Sequence, residues 1–221
     1  GRKGERIVRW LCQHAAWVTP GNEYIANYAR QFTDRITIIP TVIDTDTYIP
    51  RQFGDECGRP LRIGWSGSDQ SIGPTLIPYL PMLQDLQRQL NFELVVITNT
   101  CPNLPTTMKW RFLPWEKHEE GLLSEKFDIG IMPLADDAFQ KGKCALKLLQ
   151  YMAAGLPTVA SPVDANKEVI QHRSTGFLAA DDAEWHAALR CLLLNPELRI
   201  SMGMQGRQRC ENEYSIKRWL P

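Results

Sequence analysis

Short apolar runs alternate with amphipathic stretches along most of the chain, a pattern that predicts strands and helices in turn. The run 92–98, FELVVIT, is typical of a strand that is buried on both faces of a sheet. We predict strands at 61–65, 92–98, 110–113, 127–132, 158–161 and 175–179, and helices at about 74–90, 116–124, 143–154, 165–171 and 182–194. Because each parallel return needs a helical crossover, this alternation predicts a doubly wound α/β fold with a parallel sheet covered on both faces.

The two ends of the chain are predicted to be mainly helical. The predicted amino-terminal elements are helices at 5–16 and 23–31 and short strands at 16–19 and 36–40. Asn22 is the expected N-cap of the second helix. At the carboxyl end, 196–219 is predicted to be helical with a break near 213–215. The intervening segment 41–60 is rich in Asp, Gly and Pro, so we predict a linker and a domain boundary there.

Composition and charge narrow the class of protein without identifying a site. Basic and acidic side chains are equal in number, 25 of each, so the neutral chain has no general attraction for nucleic acid or an anionic membrane. The six cysteines are scattered without metal-ligand spacing, which favours reduced thiols, a cytoplasmic protein and no metal site. No apolar run approaches the roughly 20 residues that a membrane-spanning helix needs. Peripheral attachment to a membrane is left open.

A turn of small residues follows the first predicted strand of the sheet. Residues 63–73 read IGWSGSDQSIG, in which Gly67 permits close approach to the backbone and Ser66 and Ser68 offer hydroxyl groups. Exposed N–H groups at such a strand-to-helix turn can bind phosphate. The segment has neither a G-x-G-x-x-G pattern nor a Walker lysine, so an ordinary turn is the alternative.

Two lysines and a glutamine lie within the helix predicted at 143–154. Lys143 and Lys147 are four residues apart and Gln150 follows three later, which predicts that all three share one side of the helix. Positive charge at a helix N-terminus is unfavourable unless an anion is bound there. The functional interpretation is that the lysines and nearby N–H groups bind a diphosphate, while Gln150 binds a ribose. The alternative is a solvated amphipathic helix.

Trp115, after the strand at 110–113, is a candidate for contact with a nucleobase, with a core or interface role as the alternative.

Four motifs follow one another over residues 39–178. They are IPTVIDTDTYIP at 39–50, LLQYMAAGLPTVA at 148–160, VDANKEVI at 163–170 and GFL at 176–178. In this order they resemble the interdomain phrase and the donor-domain motifs of the retaining GT-B glycosyltransferases, in particular the large family 4 group.

The resemblance implies a Rossmann-like nucleotide-sugar-binding domain over 51–221, which is the C-terminal half of a GT-B fold. Residues 1–50 would then be the remnant of an N-terminal acceptor domain with the interdomain linker, and residues before Gly1 would have been removed. The implied reaction transfers a glycosyl group from a UDP-, GDP- or ADP-sugar to a glycan, a lipid or a small molecule, with retention and without a cofactor. The implied donor-binding residues are Ser66, Gly67, Ser68, Lys143, Cys144, Lys147, Leu148 and Gln150, with Trp115 at the base.

The sequence departs from the family pattern at two acidic positions. Gln150 occupies the place of the glutamate that binds the donor ribose, and Gly142 the place of an earlier acidic residue, so the catalytic residues are left unassigned. Asp136 and Asp137 lie just upstream, with loop solvation or helix capping as their ordinary roles. Two other functions stay open, a sugar-nucleotide epimerase of GT-B architecture and a non-catalytic module that binds a nucleotide or a partner.

Overall fold

The computed structural model describes residues 2–52 and 58–220, and its centre is a six-stranded parallel sheet with the order β3-β2-β1-β4-β5-β6. The strands are β1 (Leu61–Ser66), β2 (Phe92–Thr98), β3 (Trp110–Pro114), β4 (Ile129–Met132), β5 (Thr158–Ala160) and β6 (Phe177–Leu178). Each strand predicted for the sheet is present, although the last is shorter than the predicted 175–179. The α/β class and the parallel sheet are therefore confirmed.

Helices connect the strands and form both ends of the chain. They are α1 (Arg2–His14), α2 (Glu23–Ala29), α3 (Asp69–Ser71), α4 (Leu80–Gln89), α5 (Leu123–Lys126), α6 (Ala138–Lys141), α7 (Leu146–Ala153), α8 (Ala165–Val169), α9 (Asp182–Leu194), α10 (Pro196–Glu213) and α11 (Ile216–Trp219). The predicted break near 213–215 is confirmed between α10 and α11. Across residues 2–52 and 58–220, no helix combines the length and the apolar character that crossing a bilayer requires.

The sheet has one apolar cluster on each face, as expected for a doubly wound fold. Leu94 and Val96 of β2 belong to the cluster that α4 and α9 cover, whereas Val95 and Ile97 belong to the cluster that α7 and α8 cover. Successive side chains of a strand point to opposite faces, so a continuous apolar run supplies both clusters. In such a fold, the loops at the carboxyl ends of the strands lead into the helices that cover the two faces.

The direction of strand addition reverses next to β1. The chain adds β2 and β3 on one side of β1 and then returns to place β4 on its other side. In open parallel sheets, ligands bind in the crevice outside the carboxyl ends of the strands at such a reversal. The topology therefore predicts a ligand site between the loops that follow β1 and β4.

Four of the predicted elements are less regular in the structure than in the prediction. The strands predicted at 16–19 and 36–40 are reduced to a single parallel bridge between Val18 and Ile36. The helix predicted at 74–90 begins as an irregular segment, with a π-helical turn at Ile72–Leu76 and a 3-10 turn at Ile77–Tyr79 before α4. Pro74, Pro78 and Pro81 lack the N–H that a regular helix uses, which interrupts its ladder of hydrogen bonds. The helix predicted at 116–124 is a 3-10 segment, Lys117–Leu122, followed by α5.

The amino-terminal segment, residues 2–52, is joined by backbone hydrogen bonds to residues 58–220, which form the sheet domain. Ile43 is buried, and its N–H donates to the carbonyl of Tyr214 over 3.0 Å. The N–H of Arg51 donates to the carbonyl of Ala154 over 2.9 Å. Residues 53–57 of the predicted linker lie outside the described residues, and the division at residue 50 stays a prediction.

Gly64 lies in β1 where an added side chain has no room. A Cβ built there would lie 2.0 Å from Cγ of Phe127, a fully buried ring. We expect Gly64→Ala to lower the free energy of unfolding by about 3 kcal/mol, because overpacking of a core forces its neighbours to shift. Urea denaturation measures the loss. The control is Gly73→Ala, whose Cβ meets no atom within 4 Å; equal losses in the two variants would show that crowding at Gly64 is unimportant.

Candidate functional site

A cleft of about 260 Å³ opens where the loops after β1 and β4 meet the start of α7. It lies at the reversal of strand order that the topology indicates. The predicted donor-binding residues that line it are Ser66, Gly67, Ser68, Lys143, Cys144 and Lys147. The segments 66–68 and 143–147, which are far apart in the sequence, therefore form one site.

The loop after β1 is held close to the neighbouring strands. The N–H of Ser66 donates to Oη of the buried Tyr151 over 3.0 Å, and the N–H of Gly67 donates to the carbonyl of Ile97 over 3.1 Å. A Cβ at Gly67 would lie 2.5 Å from the Trp65 ring, so glycine permits this close packing. At the end of the loop, Asp69 accepts from the hydroxyl of Thr98 over 2.6 Å. The loop is thus fixed at both ends before any ligand binds.

The two lysines lie near the cleft, but the prediction that they share one side of a helix is wrong. The helix α7 begins at Leu146, so Lys143 lies in the turn that precedes it. Ala145 separates the two lysines with a left-handed backbone, at φ 55° and ψ 23°, which a continuous helix does not allow. The turn redirects the chain so that Lys143 and Lys147 approach the cleft from a loop and a helix.

The positive charge in the cleft is not neutralised by an ion pair with any residue that the structure describes. Within residues 2–52 and 58–220, neither Lys143 nor Lys147 has a carboxylate within ion-pair distance. Burial lowers the pKa of both amino groups, and more distant carboxylates partly oppose this effect. Lys143 also lies 5.8 Å above the Phe139 ring. Half-buried cations without a counter-ion favour the binding of an anion.

The first turn of α7 adds backbone donors to the same cleft. Ala145 is its N-cap and provides no side-chain acceptor, so side-chain capping satisfies none of the first N–H groups. Ala145, Leu146 and Lys147 all line the cleft. The partial positive charge of a helix N-terminus therefore adds to the charge of the lysines. The arrangement can hold a phosphate or diphosphate group.

A smaller recess next to the cleft contains two of the other predicted residues. Trp115 and Gln150 line it together with Ser66, Lys147 and Glu120. Trp115 is 42% exposed, so its ring is accessible. Gln150 is buried and its Nε2 donates to the carboxylate of Glu120, whereas its Oε1 has no hydrogen-bond partner among the described residues. Nothing in the sequence pairs Glu120 with Gln150, because 30 residues separate them.

Leu148 and the acidic residues upstream lie elsewhere. The side chain of Leu148 is fully buried in the apolar cluster that α7 and α8 cover, so it does not line the cleft. Asp137 caps α6 by accepting from the N–H of Gln140 over 2.8 Å, as its ordinary role predicts. Asp136 pairs with Lys141 at 2.9 Å. Gly142 ends α6 and leaves no carboxylate at its position.

The fold and the site define a parallel α/β domain with a lysine-lined cleft at its strand reversal, and similarity to known proteins shows its family. A family model described as "Glycosyl transferases group 1" matches residues 78–195, more than half of the chain. The chain belongs to this family of glycosyltransferases. No curated protein sequence matches it significantly.

Solved structures of glycosyltransferases with the GT-B fold share the architecture. Sucrose-phosphate synthase from Thermosynechococcus elongatus matches with a TM-score of 0.74 and 14% identity, over 98% of this chain and 59% of its own. HepE of Anabaena, solved with UDP and glucose, matches with a TM-score of 0.75 and 14% identity, over 98% of this chain and 64% of its own. This chain thus spans about three fifths of these two proteins.

A third match concerns a domain solved alone. The C-terminal domain of a group 1 glycosyltransferase, LpcC from Francisella tularensis, matches with a TM-score of 0.61 and 17% identity. The match covers 79% of this chain and 99% of that domain. The bulk of this chain therefore has the fold of a C-terminal domain of the GT-B class.

Proposed function

We propose that this chain binds a sugar nucleotide, with the diphosphate in the cleft between the β1 loop and α7. The observation that carries the proposal is the convergence of Lys143, Lys147 and the uncapped start of α7 on one cleft, with no carboxylate among the described residues that line it. A diphosphate matches this arrangement, since it supplies the negative charge that the described residues do not. The intact protein would transfer the glycosyl group to a glycan, a lipid or a small-molecule acceptor.

Uridine is the base that we favour among the UDP-, GDP- and ADP-sugars. HepE, whose fold this chain shares, has been solved with UDP and with UDP-glucose. The recess beside the cleft has a volume of only about 10 Å³, so in this chain the nucleoside would lie across its opening, with the exposed Trp115 ring against the base and the Gln150–Glu120 pair near the ribose. Gln150 carries no charge at the position where the family pattern has a glutamate. Glu120, which accepts a hydrogen bond from Gln150, would supply the carboxylate from a different segment.

The transfer step would depend on stabilising the departing diphosphate. The negative charge on the leaving group rises as the glycosidic bond breaks, and oriented cations and N–H groups act on that charge without reorganising. Lys143, Lys147 and the start of α7 would serve this role, which their positions in the lining of the cleft support. We propose retention of configuration and no metal requirement, since the lysines supply the neutralising charge. A cytoplasmic location belongs to the same proposal and is supported by free thiols at the cysteines that the structure describes.

Calorimetric titration of the chain with UDP, GDP, ADP and their glucose conjugates tests the proposal. We expect a nucleoside diphosphate to bind much more tightly than its nucleoside, with UDP the tightest of the three. The affinity for UDP should be the same in excess EDTA and in Mg²⁺, because lysines rather than a metal neutralise the phosphates. If the diphosphates bind no better than uridine, guanosine and adenosine, the cleft is not a diphosphate site.

A non-catalytic nucleotide-binding module is the second candidate, and the lining of the cleft favours it. Gly142 stands where a carboxylate would approach the transferred sugar, and none of the described residues that line the cleft is acidic. Such a module would bind the nucleotide without consuming the sugar donor. Release of UDP from UDP-glucose in the presence of an acceptor panel, measured on the protein extended to the length of its structural relatives, separates the two candidates. Measurable release supports the transferase.

A further inference from the structure

One buried asparagine connects the amino-terminal segment to the lysine-bearing turn. Asn22 is fully buried, and its Nδ2 donates to the carbonyls of Lys141 and Lys143 over 2.9 and 3.0 Å. Its Oδ1 accepts from the N–H of Ile25 over 2.9 Å and so caps α2. The single side chain thus satisfies one donor at the start of α2 and two carbonyls more than a hundred residues away.

The residue before Asn22 packs against the same turn. A Cβ built on Gly21 would lie 2.5 Å from Sγ of Cys144, and 3.5 Å from its Cβ. The Cys144 side chain therefore occupies the space that glycine leaves open. Hydrogen bonds from Asn22 and packing against Gly21 hold the turn from two adjacent positions of one segment.

These contacts act on the part of the turn that carries the charge. Asn22 donates to the carbonyl of Lys143, and the side chain of Cys144 packs against Gly21. Lys143 and Cys144 directly precede Ala145, the left-handed N-cap of α7. A backbone in the left-handed region is costly for a residue with a Cβ, so surrounding contacts must hold it. The contacts of Asn22 and Gly21 are placed to do so.

We propose that Asn22 is a positioning residue for the diphosphate site, acting through the turn at 141–145. The proposal rests on the proposed function and adds a residue from outside the cleft to it. By fixing the carbonyls of Lys141 and Lys143, the Asn22 amide sets where the Lys143 amino group and the first N–H groups of α7 point. The amino-terminal segment is then a structural component of the donor site, not only a connection to it.

Two substitutions at Asn22 test the role of its amide donors. Asn22→Ser and Asn22→Asp both keep an oxygen that can cap α2, and both remove the two N–H groups that bind the turn. We expect each to weaken UDP binding by about tenfold, as small misplacements of positioned groups do. The affinity for uridine, which has no phosphate, should change by less than about twofold in the same titrations.

The outcomes separate the inference from the proposed function. If the unaltered chain binds UDP no better than uridine, the proposed function fails. If it prefers UDP but both variants keep that preference, only the role of Asn22 fails. An equal loss of UDP and uridine affinity would also overturn the role of Asn22, because it indicates a general loosening of the fold. A loss confined to the Asn22→Asp variant would do the same, because it indicates repulsion by the new charge.

A rescue experiment addresses the same turn without removing a hydrogen bond. Gly21→Ala should weaken UDP binding, because the new Cβ would displace Cys144 and the turn with it. Cys144→Ala in the same chain removes the obstructing Sγ, so the double variant should bind UDP as Cys144→Ala alone does. A Gly21→Ala penalty that persists unchanged in the Cys144→Ala background would show that the turn does not carry the effect. This result tests whether the amino-terminal segment positions the turn, on which the role of Asn22 depends, even if the Asn22 variants do not fold.

Discussion

Replacing Lys147 by methionine is expected to weaken the binding of UDP by about 10- to 100-fold, which corresponds to the loss of one charged hydrogen bond. Lys147 is partly buried, lines both the cleft and the adjacent recess, and has no ion-pair partner among the described residues. Methionine keeps most of the apolar stem, so the comparison isolates the amino group. Calorimetric titration of the two proteins with UDP measures the ratio of dissociation constants.

The control for this prediction is a lysine at the other end of the sheet. Lys109 precedes β3 and is exposed, and its amino group bonds to the Asn91 side chain instead of facing the cleft. Lys109→Met removes the same charge and should leave UDP affinity within about twofold, because exposed charges at this distance are screened by salt. Unchanged affinity in Lys147→Met, or equal losses in the two variants, would refute the assignment of Lys147 to the phosphates.

The strands of the sheet could be predicted because their signal is local. The run 92–98 is mostly apolar and rich in β-branched residues, and a run of this length and composition is typical of a strand buried on both faces. The turn of small residues at 66–68 and the spacing of the lysines at 143–147 likewise marked both segments as candidates for a donor site before their proximity was known. The parallel topology then brought both segments to the carboxyl ends of β1 and β4.

The geometry of the lysines could not be predicted because it depends on one backbone conformation. Helical spacing placed Lys143 and Lys147 on one helix face, but Ala145 adopts a left-handed conformation that its residue type disfavours. Contacts from Asn22 and Gly21, which lie more than a hundred residues away, act on this turn. Local propensity carries no information about contacts of that range, so tertiary structure decided the start of the helix.

A buried acidic residue at the opposite end of the sheet is predicted to be essential for stability. Asp128 has no solvent exposure and pairs with Arg51 at 2.5 Å and Arg59 at 2.7 Å. Its carboxylate also accepts from the N–H of Arg62 over 2.6 Å, at the start of β1. The group thus connects the end of the amino-terminal segment to the first strand of the sheet.

Asp128→Asn is expected to lower the free energy of unfolding at pH 7 by about 3–5 kcal/mol, because it removes the carboxylate that pairs with the buried Arg51 guanidinium from a buried ionic cluster. Thermal or urea unfolding measures the loss. The control is Asp85→Asn, since the Asp85–Arg88 pair is exposed and should contribute less than about 1 kcal/mol. A loss at Asp128 no larger than that at Asp85 would contradict a central role for the cluster.

Part of the stability that Asp128 provides should be lost in acid. Burial alone would raise the pKa of its carboxyl group, but the hydrogen bond from Arg59 and the charges of Arg51 and Arg62 outweigh burial and lower the pKa to about 2. Because the folded pKa lies below the ordinary value of 3.8, ionisation stabilises the fold above pH 4, by roughly 2 kcal/mol. This contribution is lost as the pH falls from about 4 towards 2. The difference in unfolding free energy between the unaltered chain and Asp128→Asn should therefore be constant from pH 5 to 7 and shrink below pH 4; a difference that stays constant to pH 2 would show that the carboxylate is not held ionised by the arginines.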